Sequence, residues 1–124
     1  MKKVLIIDES SFSRICSALL QEDGHKTEIL EDIGSLLPKT GDGDKEFGLV
    51  ITSYPFCNSL FEKIRNMSLP TIVLTDHLNR SLINFLEGCR DSYCMVTPLD
   101  YQKFRSVVKQ IVKGDQPNDG LNIL

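Results

Sequence analysis

Four apolar runs in this chain end on side chains that could do chemistry. Residues 4–7 give way to Asp8 and Glu9, residues 49–52 to Ser53, residues 72–74 to Thr75, and residues 94–96 to Thr97 and Pro98. Adjacent carboxylates are ligands that a hard divalent cation takes, with water filling out its shell. They are also acids of the kind that sit favourably at a helix N-terminus, so Asp8 and Glu9 have both a metal-binding and a capping reading. A hydroxyl is an effective nucleophile only when a base removes its proton. His77, two residues past Thr75, is the better placed of the chain's two histidines for that role, and the bland alternative is a solvated loop imidazole. No lysine or arginine directly follows any of the four runs, so an anion arriving there meets only carboxylate and hydroxyl oxygens.

These side chains share a site only if the runs are parallel strands, because open α/β sheets bind ligands outside the carboxyl ends of their strands. Residues 3–7 show no polar alternation, which suits a strand covered on both faces. Phe12, Ile15, Cys16, Leu19 and Leu20 then repeat at helical spacing as one apolar stripe, with Ser10 or Ser11 to cap it and Gly24 to end it. A short strand at 26–30 completes a β-α-β unit. Ile33, Leu36 and Leu37 predict a brief helix limited by Gly34 and Pro38, and the glycine, acid and lysine sequence of 39–48 reads as an exposed loop. A third strand covers 47–52. Ser59 and Glu62 have capping-box spacing at the start of a third helix that buries Leu60, Ile64 and Met67.

Residues 71–75 form the fourth strand, Leu82, Phe85, Leu86 and Cys89 the stripe of a fourth helix, and Val96 ends the fifth strand. Asp100 starts a last helix in which Tyr101, Phe104, Val108, Ile111 and Val112 face inward and Lys103, Arg105, Lys109 and Lys113 take outer or C-terminal positions, before Gly114. Five strands alternating with five helices imply a doubly wound, flavodoxin-like parallel sheet of order 2-1-3-4-5 in three layers. That order sets strands 1 and 3 side by side and brings Asp8, Glu9 and Ser53 to one crevice. Residues 1–114 form the expected domain, and 115–124 read as a frayed tail or the start of a linker.

Composition narrows the function classes. At 124 residues, 41% hydrophobic and 25% charged, the chain has the make-up of one soluble domain, and no apolar run approaches the roughly 20 residues of a membrane span. The cytoplasm is the expected compartment. A net charge of −3 speaks against nucleic acid as the partner. Cys16, Cys57, Cys89 and Cys94 have neither metal-ligand nor redox-pair spacing and read as small apolar residues.

From residue 2 to about 113 the chain resembles the response-regulator receiver (CheY-like) family. The acidic pair at Asp8 and Glu9 after KVLII matches in chemistry, whereas LVITS at 49–53, PTIVLT at 70–75 and VTPL at 96–99 match in pattern with altered chemistry. The resemblance implies a magnesium site at Asp8 and Glu9, a phosphoacceptor aspartate where this chain has Ser53, and a strand-5 lysine where it has Thr97. With both replaced, any magnesium affinity should be weak, and no cofactor is required. Thr75 takes the position of the family's switch hydroxyl. The aromatic coupled to it falls on Cys94, or on Tyr93 if the preceding loop is offset. Asp76 replaces a small residue and either crowds and repels a phosphate or caps the fourth helix. Thr97-Pro98 corresponds to a bond that is cis in the family.

The resemblance therefore implies an atypical receiver of a two-component phosphorelay, acting by protein contact with little or no aspartyl phosphorylation. Its partner would be a sensor kinase, an effector or a second copy of the chain, met on the face of helix 4, strand 5 and helix 5. The alternative keeps phosphorylation, at Ser53 or Asp76. A flavodoxin-like enzyme is a third reading, against which stands the lack of a phosphate loop, nucleophile elbow or cofactor motif.

Overall fold

The apolar runs form strands because each is buried on both sides. The computed structural model describes residues 3–7, 12–30, 47–54, 69–88, 92–97 and 100–114. Strands β1 (Lys3–Ile7), β2 (Thr27–Leu30), β3 (Phe47–Ser53), β4 (Thr71–Thr75) and β5 (Ser92–Val96) make one sheet in the order β2-β1-β3-β4-β5. All four neighbouring pairs run parallel. The expected strand order and direction are those observed.

Successive side chains of a strand point to opposite faces, and here both faces are covered. On one side Leu5, Ile7, Val50, Val73 and Cys94 pack under Leu82, Phe85 and Leu86 of helix α2 (Arg80–Gly88). On the other, Val4, Ile6, Leu49, Ile51, Ile72, Leu74, Tyr93 and Met95 meet Cys16 and Leu20 of α1 (Phe12–Glu22) and Phe104, Val107, Val108 and Ile111 of α3 (Tyr101–Val112). Three helices are thus described, not five; α2 and α3 are the fourth and fifth of the sequence reading. The helices expected around 33–37 and 59–67, and the tail 115–124, lie outside the described residues. Among the described residues no helix is long and apolar enough to cross a membrane.

Helix ends follow their residues. Gly24, at φ 90, closes α1: its N–H donates to Gln21 O and that of His25 to Leu20 O, the paired bonds of a Schellman end. Asp100 caps α3 by accepting from Lys103 N–H at 3.1 Å. Asn79, rather than Asp76, caps α2, accepting from Leu82 N–H at 2.9 Å.

Two helix faces differ from the expected stripes. Ile15 is 46% exposed while Ser13 and Ser17 are buried with Cys16 and Leu20. The cause is polar: Ser17 Oγ lies 2.6 Å from Thr27 Oγ1 of β2, and Gln21 Nε2 donates to both oxygens, so α1 turns its serines toward the sheet. Tyr101, expected inward, is 41% exposed because it lies in the first turn, on the flank of the stripe centred on Phe104, Val107, Val108 and Ile111. Arg105 reverses an expectation too. Its guanidinium is half-buried and forks onto Asp23, with Nε donating to Oδ2 at 2.8 Å and Nη2 to Oδ1, which ties the end of α1 to α3.

Thr52, buried in β3 opposite Ile7, donates its hydroxyl to the Ile7 carbonyl at 2.7 Å. Thr52→Val keeps the shape and removes that donor. The urea midpoint should fall by the equivalent of about 1 kcal/mol without a change in slope. The hydrogen bond from Arg105 holds the Asp23 carboxyl below its ordinary 3.8, against the opposing effect of burial. A carboxyl with a lowered folded pKa contributes stability that is fully present above 3.8 and is lost as pH falls through the folded value. In urea melts across pH, the stability advantage of the wild type over Asp23→Asn should accordingly hold at neutral pH and shrink below that point.

Candidate functional site

Parallel register collects the strand ends on one edge. Ile7 lies opposite Thr52, Ser53 opposite Leu74, and Thr75 opposite Val96. Ser53, Thr75 and Thr97 therefore share the C-terminal edge of the sheet, Ser53 and Thr97 half-buried and Thr75 fully so. Asp8, Glu9 and Pro98 lie outside the described residues.

The hydroxyls on β4 and after β5 are already committed. Thr75 Oγ1 donates to His77 O at 2.7 Å and accepts from His77 N–H at 3.3 Å, which folds the chain into a tight turn off β4. Thr97 donates twice to the Thr75 carbonyl, from N–H at 2.7 Å and from Oγ1 at 3.3 Å. The side chain of Thr97 is a strand tie here. Both hydroxyls satisfy backbone groups at the sheet edge, which would otherwise carry a desolvation cost.

Asp76 is turned outward. Its side chain is 75% exposed and its Oδ1 lies 2.5 Å from Nδ1 of His77, itself 66% exposed. Of the two expected roles, helix capping belongs to Asn79. The exposed carboxylate is partnered by an imidazole, which nothing in the spacing of Asp76 and His77 had singled out.

Alternation puts the two strand-5 candidates on opposite faces. Cys94 pairs with Val73 and belongs to the cluster beneath α2, whereas Tyr93 pairs with Ile72 and belongs to the cluster against α1 and α3. Burial pushes the Cys94 thiol up to about 11, which leaves it protonated and unreactive at neutral pH.

The fit of this edge to magnesium rests on carboxylates. Among the described residues no group of three His, Cys, Asp or Glu side chains converges on one point. The described part of the edge offers hydroxyl oxygens, and Asp76 faces solvent with His77. The described residues alone do not supply a magnesium ligand set, and the expected ligands Asp8 and Glu9 lie outside them. Sequence reading missed Thr52, whose signal was a lone hydroxyl inside an apolar run, and the Asp23–Arg105 fork, which joins residues 82 apart and carries no local signal.

Comparison by sequence finds no matching protein family and no matching curated protein. Comparison of structures does find neighbours. The chain is similar to a two-component response regulator from Clostridium difficile, with a TM-score of 0.76 and 19% identity over 91% of this chain and 97% of that one. It is also similar to a CheY-like response regulator receiver domain from Methanospirillum hungatei JF-1, with a TM-score of 0.75 and 20% identity over 92% and 95% of the two chains. A response regulator receiver domain protein from Clostridium thermocellum gives 0.72 and 20% over 92% and 96%. At these identities the likeness is one of architecture: the chain has the fold of the CheY-like receiver domains.

Proposed function

We propose that the chain is an atypical receiver module of a two-component phosphorelay, working by protein contact with little or no aspartyl phosphorylation. The observation that carries this reading is the pairing of a receiver fold with neutral oxygens at Ser53 and Thr97, with the Thr97 hydroxyl given to the Thr75 carbonyl. By the family resemblance these are the positions of the accepting carboxylate and of the ammonium that balances the phosphoryl group. An alcohol without a bonded base is a poor nucleophile toward phosphorus. Among the described residues no hydrogen bond joins Ser53 to an imidazole.

The contact surface in this reading is α2, β5 and α3. β5 is an edge strand, and three apolar side chains are open to solvent around it: Leu78 before α2 at 39%, Val96 at 40% and Tyr101 at 41%. A sensor kinase, an effector or a second copy of the chain would meet that surface in the cytoplasm. Any magnesium bound through Asp8 and Glu9 would be held weakly, and the role is one of binding rather than catalysis.

Incubation with acetyl phosphate and magnesium, followed by intact mass, alkali treatment and peptide mapping, tests this. The expected result is no alkali-labile acyl phosphate on a carboxylate. Such a group on Asp76, or a phosphate ester on Ser53, would establish the phosphorylated alternative instead.

A further inference from the structure

We propose that His77 is a phosphoryl-accepting residue, with Nε2 as its nucleophilic atom and Asp76 as the carboxylate that positions its ring. The inference goes beyond the contact reading and does not depend on it. An ionised carboxylate only accepts hydrogen bonds, so the 2.5 Å contact of Asp76 Oδ1 assigns the ring proton to Nδ1 and leaves the Nε2 lone pair open. The backbone that carries the ring is also anchored. Thr75 Oγ1 bonds both the N–H and the C=O of His77, and Thr75 is itself 2% exposed and receives Thr97 at its carbonyl. The imidazole thus projects from a turn fixed to the sheet edge, with 66% of its surface open to reagent. His25, 7% exposed, has no such access.

The donor would be a phosphoramidate, the chemical class that includes the phosphohistidine of another protein. The Nε2 lone pair forms the new N–P bond while the donor's P–N bond breaks. The donor reacts in its N-protonated or imidazolium form, so the departing nitrogen keeps the bonding pair and leaves as a neutral amine or imidazole with no further proton needed. The ring becomes cationic with its proton still on Nδ1, and the Asp76 carboxylate balances that charge as it develops.

The probe is small-molecule phosphoramidate, followed by intact mass and peptide mapping on the full chain. The expected product is one phosphoryl adduct on His77, stable in alkali, lost in acid, retained in Ser53→Ala and absent from His77→Gln. Its formation should be faster in the folded chain than in urea, and roughly tenfold or more slower in Asp76→Asn, as for other carboxylates that orient an imidazole. Circular dichroism of the variants should match the wild type, since both side chains are exposed. No adduct, an adduct surviving in His77→Gln, equal rates in folded and unfolded chain, or an unchanged rate in Asp76→Asn would each overturn the proposal. An alkali-labile adduct mapped to a carboxylate would overturn this proposal and the contact reading together, whereas no adduct overturns this proposal alone.

Discussion

The parallel register of β1 against β3 is the constraint on which the edge depends. Every β1 residue from Val4 to Ile7 is apolar and almost fully buried, so a slip of one place would exchange one buried apolar side chain for another. Hydrophobic pattern alone discriminates poorly between such registers. The polar strand ends discriminate well. Thr52 can give its hydroxyl to the Ile7 carbonyl only when the two residues lie opposite each other, and misplacing it would bury an unpaired donor at a cost of about 1–3 kcal/mol. Thr97 ties β5 to β4 through its N–H and, at longer range, its hydroxyl, both on the Thr75 carbonyl.

This link between register and hydroxyls has a chemical consequence. A strand-end hydroxyl that satisfies a neighbouring carbonyl is no longer free to move toward a ligand without breaking the tie that holds its strand. Thr97 is in that state, the Thr75 hydroxyl is taken up by the His77 backbone in its own turn, and through the Thr75 carbonyl and hydroxyl they form one connected set running from β5 to the turn at His77. The edge is therefore built as a brace. Its stiffness extends outward to the turn, where exposed ionisable side chains begin.

Much of the fold was legible because apolar runs and helical stripes are local signals. All five strands, the glycine ends of α1 and α3 and the Asp100 cap follow from residues within one or two turns of each other. The rest depended on partners distant in sequence. Periodicity marked a stripe on α1 but could not show that Thr27 would draw Ser17 inward and leave Ile15 at the surface. Arg105 carried the signature of an outward cation until Asp23 was brought beside it by packing. At the edge, sequence marked Ser53, Thr75 and Thr97 as neighbours, yet it could not say which carbonyls their hydroxyls would serve, nor whether Tyr93 or Cys94 lay beneath α2. Pairing with β4 decides the latter, since alternate residues of a strand cannot share a face.

Charge explains why neutral hydroxyls sit comfortably at this edge. A charge partly removed from water is tolerated only when it is paired. Ser53 and Thr97 are half-buried and carry no charge, and the Thr97 hydroxyl takes a backbone carbonyl where an ionised side chain would have needed a counterion. The Asp76–His77 pair stands outside this constraint. It is exposed on a turn, where solvation carries the cost of its charges and the brace behind it fixes its position.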